Sequence, residues 1–141
     1  MSDAPADFEE IEHTADWALR VRGADLSELL SHAARGMSSL LVPDLAAVPA
    51  NVRRELELDA LDAESLLVAW LGELAYWAES ELLVFREYDL FEVSPTHLRA
   101  ILRGGRVPGD GLQKHIKAVT YHNLKIVATE GGLETTVVFD V

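Results

Sequence analysis

Two aspartates at opposite ends of the chain are the first candidates for chemistry. Asp16 follows the tract His13-Thr14-Ala15 between two predicted strands, and Asp140 ends the strongly β-forming run Thr135–Phe139. A charge in a packed sheet is costly unless something neutralises it, and a hard divalent cation would do so. A loop aspartate such as Asp16 is ordinarily a turn former or a cap. Both readings of Asp16 are open at this point.

The residue types around these aspartates restrict the kind of metal. The chain has no cysteine, and it lacks a His-x-Glu or His-Glu-x-x-His pair. Oxygen ligands alone favour calcium, magnesium or manganese over zinc or copper. His13, His115 and His122 lie within or beside the polar tracts, and we expect hydrogen-bonding or supporting roles for them, not ligation.

Lys117 is the third candidate. It lies in the strand-like tract Ile116–His122, whose apolar and polar residues alternate imperfectly. A lysine on a strand is usually a solubilising surface group. It could also reach towards Asp16 and Asp140, and the pattern alone leaves both interpretations open.

Three tracts together resemble the archease family, whose members are small acidic protein cofactors of the RtcB-type RNA ligase. They are Glu12–Asp16, Ile116–His122 and Phe139–Val141, and the resemblance extends from Phe8 to Val141. It implies that Asp16 and Asp140 bind a metal, that Val141 completes the site, and that Lys117 is needed for ligase activation. Calcium is the cation we expect in a crystal, with magnesium or manganese as alternatives.

The resemblance also implies a function. Archease-like proteins help a ligase that uses GTP and manganese to become guanylylated and to turn over repeatedly, in tRNA splicing or RNA repair. Such a protein is an accessory activator and not an enzyme. The family commonly has acidic residues before the His-Thr-Ala-Asp tract and soon after the next glycine; Glu12 fills the first place and Asp25 only approximately the second.

Two other classes of function are compatible with the residues. Two aspartates and a cation could activate water in a stand-alone metal-dependent phosphoester hydrolase, although no second metal constellation or convincing general base is evident. A chaperone-like binding module would use the acidic residues and aromatic side chains without metal chemistry.

The size and charge of the chain further limit its domain organisation, its partners and its location. The chain has 141 residues, 49% of them hydrophobic, and a net charge of −12. We expect a disordered tail over residues 1–7 and one domain over residues 8–141. The acidic balance disfavours tight direct nucleic-acid binding and suits a basic partner. The N-terminus lacks signal-peptide features and no apolar run approaches the ~18 residues of a spanning helix, which predicts a cytoplasmic protein without a membrane partner.

The elements that must position these residues form an α+β domain, with two helices packed on one side of a mostly antiparallel or mixed sheet. Helices are predicted from the Asp25 cap to Pro43 and over Ala63–Ser80 after the Asp62 cap. Strands are predicted between and after them, including His115–His122 and Leu124–Thr129. The second helix is apolar around much of its circumference, which predicts deeper burial than the first. Its aromatics are expected mostly in the core, with a ligand-stacking surface as the alternative.

Overall fold

The computed structural model describes residues 7–12 and 17–141. This part of the chain contains eight strands, two α-helices and a short 3-10 turn at Leu45–Ala47. In chain order the strands and helices are β1 (Phe8–Glu12), β2 (Trp17–Gly23), α1 (Leu26–Leu41), β3 (Val52–Asp59), α2 (Ala63–Glu81), β4 (Leu83–Ser94), β5 (His97–Arg106), β6 (Ala118–Thr120), β7 (Val127–Thr129) and β8 (Gly132–Asp140). Neither helix in this part is both long and apolar enough to cross a membrane.

Helix α1 begins where the capping pattern predicts. The Asp25 carboxylate accepts a hydrogen bond from the Glu28 backbone N–H at 2.8 Å, and the Glu28 carboxylate accepts from the Ala24 N–H at 3.1 Å. This reciprocal pair satisfies donors that the first helical turn leaves free. Leu29, Leu30 and seven further side chains of the helix are buried, so α1 is a central core element.

Helix α2 also begins at an aspartate cap. Asp62 accepts a hydrogen bond from the Ser65 N–H at 2.8 Å, and this bond lowers the pKa of the Asp62 carboxyl. The helix ends at Leu82, whose φ of 55° is the left-handed conformation that commonly closes helices.

The prediction that α2 is the more deeply buried helix is wrong. Nine of the 16 residues of α1 are buried, but only seven of the 19 residues of α2. The aromatic residues contribute to the difference: Trp70 is fully buried, but Tyr76 is 64% exposed. Trp77 is partly buried, and the Arg54 guanidinium lies 5.2 Å from the centre of its ring.

The strands form two antiparallel sheets. The five-stranded sheet has the order β1-β2-β8-β6, with β7 also paired to β8, and the three-stranded sheet has the order β3-β5-β4. The predicted α+β class with two helices and mainly antiparallel strands is confirmed. The strands form two sheets instead of the one predicted, and α1 connects β2 in one sheet to β3 in the other.

Strand β8 pairs with other strands along both of its sides. It pairs with β2 along one side, from Leu133 to Phe139. On the other side β7 pairs with its beginning and β6 with its end. Residues 118–129 are therefore an edge strand interrupted by a turn at Tyr121–Leu124, where Asn123 has a φ of 51°.

This interruption makes the predicted strands His115–His122 and Leu124–Thr129 too long. Only Ala118–Thr120 and Val127–Thr129 pair with β8. The residues before β6 are bonded to the end of α1 instead. The Gln113 N–H donates to the Leu41 carbonyl at 2.8 Å, and the Gln113 side chain donates to the Leu40 and Val42 carbonyls.

Gly104 and Gly105 lie inside β5. A Cβ atom on Gly104 would meet the Val84 carbonyl oxygen at 2.1 Å, so β4 and β5 approach more closely than any side chain permits. Gly109, in the loop after β5, has no neighbour within 4 Å of such an atom.

We therefore expect Gly104→Ala to destabilise the protein by at least about 2 kcal/mol, because backbone atoms must move to admit the methyl group. Gly109→Ala is the matched control and should change stability by no more than about 0.5 kcal/mol. Urea unfolding followed by circular dichroism measures both. Equal midpoints for the two variants would contradict the close approach of β4 and β5.

Candidate functional site

The end of β8 carries two of the predicted metal-site residues. Val138 and Phe139 are buried, Asp140 is exposed, and Val141 is partly buried. The expectation that the Asp140 charge is costly because it is packed in the sheet is wrong, since Asp140 is exposed at the end of β8. A cation is therefore not required to compensate for burial at this position.

Other residues predicted for the site lie next to the undescribed residues 13–16 or among them. Asp16 and His13 lie outside the described residues. Trp17, which follows Asp16 in sequence, is the register partner of Phe139, which precedes Asp140. Glu12 ends β1 and is also a register partner of Trp17.

Lys117 lies beside Asp140. Its backbone N–H donates to the Asp140 carbonyl oxygen at 2.7 Å, just before β6 begins. Its exposed side chain lines a groove of about 360 Å³ between α2 and residues 115–119. Tyr76 and Glu79 form the α2 side of this groove. The main chains of Lys117 and Asp140 are therefore close together, and a reach of the Lys117 side chain towards Asp140 stays a prediction.

The two described histidines of the site differ in their contacts. His115 Nδ1 lies 2.9 Å from a Glu79 carboxylate oxygen, which ties the segment before β6 to α2. His122 lies at the turn after β6, where its Nε2 is 3.3 Å from the Asn123 amide nitrogen. These are hydrogen-bonding contacts, and a supporting role towards a metal stays a prediction for both residues.

The donor chemistry of the site suits a hard cation. Within residues 7–12 and 17–141, no three carboxylate or imidazole side chains converge as a complete metal site. Asp140 offers an exposed carboxylate, which is the donor type that calcium and magnesium prefer. A complete site therefore requires donors besides the described side chains, and Asp16 is the predicted one.

Sequence reasoning did not predict two contacts near this site. Tyr76 shares the groove with Lys117, although the aromatics of its helix were expected mostly in the core. The Lys114 ammonium lies 3.6 Å from the centre of the Trp17 ring, a cation–π contact between two distant parts of the sequence. The concentration of lysines around residue 117 was the signal available in the sequence.

A separate charged cluster surrounds His97 on the three-stranded sheet. His97 Nδ1 lies 2.8 Å from Asp59, and its Nε2 lies 3.5 Å from Glu57 and 3.7 Å from Glu92. The hydrogen bond to Asp59, aided by the other two carboxylates, outweighs partial desolvation and raises the pKa of His97. This cluster is not part of the groove.

Comparisons with known proteins point to one family over nearly the whole chain. The sequence model of the Archease protein family matches residues 8–141. A protein archease from Methanosarcina mazei is 33% identical over 140 residues, which cover 95% of each chain. One from Saccharolobus islandicus is 37% identical over 137 residues, covering 95% of this chain and 98% of that relative.

Two solved structures resemble the fold. The solution structure of protein 1598 of Methanobacterium thermoautotrophicum has a TM-score of 0.79 and 28% identity, covering 96% of this chain and 99% of the other. The crystal structure of an archease from Thermotoga maritima, described as a possible chaperone, has a TM-score of 0.61. At 24% identity, with 94% and 96% of the two chains covered, it supports the fold alone.

The His97 cluster generates a prediction about pH. Because the folded pKa is raised, protonated His97 contributes stability that is fully present below its unfolded pKa of about 6.5 and is lost as pH rises through the folded value. His97→Gln should therefore lower the free energy of unfolding more at pH 5.5 than at pH 9. Urea unfolding at both values measures this, and an equal loss at both would contradict it.

Proposed function

Because this chain belongs to the archease protein family, we propose that it activates an RtcB-type RNA ligase as a protein cofactor and is not itself an enzyme. The observation that supports this most directly is the hydrogen bond of 2.7 Å between the Lys117 N–H and the Asp140 carbonyl. This main-chain bond brings two residues with side chains suited to a phosphate-handling partner, a lysine and an aspartate, to one end of the five-stranded sheet.

The register of that sheet supports a role for Asp16. The pairing of β2 and β8 reaches Trp17 and Phe139, and the next residues in sequence are Asp16 and Asp140. Asp16 is therefore the residue before a strand end that pairs beside Asp140. Two carboxylates that share a site repel each other, and a divalent cation between them would remove the repulsion.

We assign the following roles at the site. Asp16, Asp140 and a main-chain oxygen of Val141 would hold the cation. The bound cation would supply a positive charge suited to phosphate oxygens. Lys117 extends the positive charge into the groove against Tyr76 and orients an anionic group of the ligase or its nucleotide.

The acidic surface of the protein would attract it to a basic face of the ligase. The chain carries 24 acidic and 12 basic residues, and a ligase that handles RNA and GTP requires a basic active-site face. Opposite charges accelerate encounter and orient the two proteins before close contact. This docking should weaken as ionic strength rises.

A chaperone-like binding module is the second candidate. The relative from Thermotoga maritima is described as a possible chaperone, and Leu61, Tyr76 and Tyr121 are large exposed hydrophobic side chains in the described structure. The two candidates differ in what Asp140 does, because a module without metal chemistry should retain its activity in the variant Asp140→Asn.

The first test of the proposal concerns the metal. Calcium at 100 times its dissociation constant should stabilise the protein by about 2.7 kcal/mol. Asp140→Asn should lose this increase, yet be at least as stable as the parent without calcium, because one of two like charges is removed. Thermal unfolding with calcium or with chelator measures both effects.

Glu55→Gln is the matched control, because Glu55 is an exposed carboxylate of β3 in the other sheet. It should keep the full calcium increment. A full increment in Asp140→Asn as well would show that the carboxylate is not a ligand.

The second test concerns activation. Multiple-turnover ligation with an RtcB-type ligase, GTP and manganese should be faster with this protein than without it. Lys117→Ala should reduce that stimulation at least about tenfold, because a charge-assisted contact is lost. The unfolding free energy should change by no more than about 0.5 kcal/mol, since the side chain is exposed.

Arg103→Ala is the control for charge, because it removes one cation from the three-stranded sheet. It should stimulate like the parent protein. Full stimulation by a folded Lys117→Ala variant would remove Lys117 from the proposed mechanism, and no stimulation by the parent protein would refute the activator function.

A further inference from the structure

The lysines of this acidic chain are concentrated in one segment. Lys114, Lys117 and Lys125 are the only three in the sequence, and no aspartate or glutamate occurs between Asp110 and Glu130. Residues 114–125 form the lysine segment. In a protein with a net charge of −12, this segment is a local cationic surface.

The lysines also differ from the arginines in their ion pairs. In the described residues, the lysines form no ion pair with a carboxylate. Most arginines form at least one: Arg20, Arg22, Arg35, Arg53, Arg54, Arg86, Arg99 and Arg106. Arginine charge is therefore largely neutralised within the fold, while lysine charge is available to a partner.

The fold holds the lysine segment at the edge of the five-stranded sheet. It includes β6 and the turn that separates β6 from β7. The Thr135 hydroxyl donates to the Lys125 carbonyl at 3.0 Å, and the Ile126 N–H donates to the Glu64 carboxylate at 3.0 Å. These bonds fix the backbone of the turn, while the Lys125 side chain is exposed.

Two exposed tyrosines accompany the lysines. Tyr121 is 59% exposed and Tyr76 is 64% exposed. Tyr76 lines the groove together with Lys117, and Tyr121 follows Lys117 by four residues, at most about 14 Å of extended chain. Cations interleaved with exposed aromatic rings are typical of surfaces that bind single-stranded nucleic acid.

Two nearby carboxylates are engaged by other groups. Glu79 is paired with His115 at 2.9 Å, and Glu64 accepts the backbone bond from Ile126. Lys114 rests on the Trp17 ring at 3.6 Å, which orients its ammonium without neutralising it. The segment thus keeps its positive charge beside these two carboxylates.

We propose that the lysine segment binds single-stranded nucleic acid directly, with the lysines contacting phosphates and Tyr76 and Tyr121 stacking on bases. Charge selects an anionic partner, and the exposed rings favour nucleic acid over an acidic peptide, which offers no bases to stack. The net charge opposes tight association, so the affinity is that of weak non-specific binding, about 10⁻⁴–10⁻⁶ M, and falls with salt. Lysines that only protect a sheet edge would show no such binding.

The test needs no ligase, so its result is independent of the activator proposal. Fluorescence anisotropy of a labelled ten-nucleotide oligouridylate is measured against this protein from 25 to 200 mM salt. Three phosphate contacts predict a slope of about −2 for the logarithm of the binding constant against the logarithm of the salt concentration. An oligothymidylate should bind comparably, because no contact to a 2′-hydroxyl is part of the proposal.

Variants separate charge from stacking. Lys125→Ala should reduce the steepness of the slope by about 0.7. Tyr121→Ala should weaken binding at least about fivefold and leave the slope unchanged, while Tyr121→Phe should bind like the parent protein. Arg103→Ala, which removes an equal charge from the other sheet, should bind like the parent protein. Circular dichroism confirms that each variant is folded.

Three results would overturn the proposal. The first is no binding by the parent protein at 25 mM salt. The second is a slope in Lys125→Ala equal to that of the parent. The third is a polyglutamate of matched charge that binds as tightly as the oligouridylate, with Tyr121→Ala fully active for both. That third outcome would identify the surface as a docking face for an acidic protein.

Discussion

The pairing of β8 with its neighbours is the constraint on which the candidate site depends. Val137 and Phe139 point into the core and are fully buried, so apolar packing fixes the register of the strand. A slip by one residue would expose both side chains and turn Asp140 inward. The orientation of the Asp140 carboxylate is therefore set by the hydrophobic residues that precede it, and the position of Lys117 follows from its bond to the same strand.

The sequence predicts local structure well where a side chain acts on its own backbone. Asp25 and Asp62 cap the two helices as their spacing indicates. The boundaries of β6 and β7 were not predictable from periodicity, because they depend on which part of the segment reaches β8. Gln113 binds the end of α1, about 70 residues earlier in the chain, and such a contact has no local signature.

The candidate site was only partly predictable from the sequence. The motif residues offered a reach of Lys117 towards Asp140 as one of two interpretations; the main chains of the two residues are bonded, and the approach of their side chains stays a prediction. The burial of Asp140 was predicted wrongly, because Val137, Val138 and Phe139 are consecutive apolar residues and their pattern does not show where the covered part of the strand ends. Tyr76 was also unpredictable, since an apolar helix can leave an aromatic ring exposed wherever no strand or loop covers it.

The shortness of β6 has a consequence for behaviour at high concentration. An edge strand with many unpaired backbone groups is a template on which another chain can add a strand. Here only the two short strands Ala118–Thr120 and Val127–Thr129 lie beside β8, the chain turns away between them, and Lys117 and Lys125 flank β6 with positive charge. Two copies brought edge to edge would repel one another and share few hydrogen bonds. The molecule can thus leave this edge open to a partner without promoting its own aggregation.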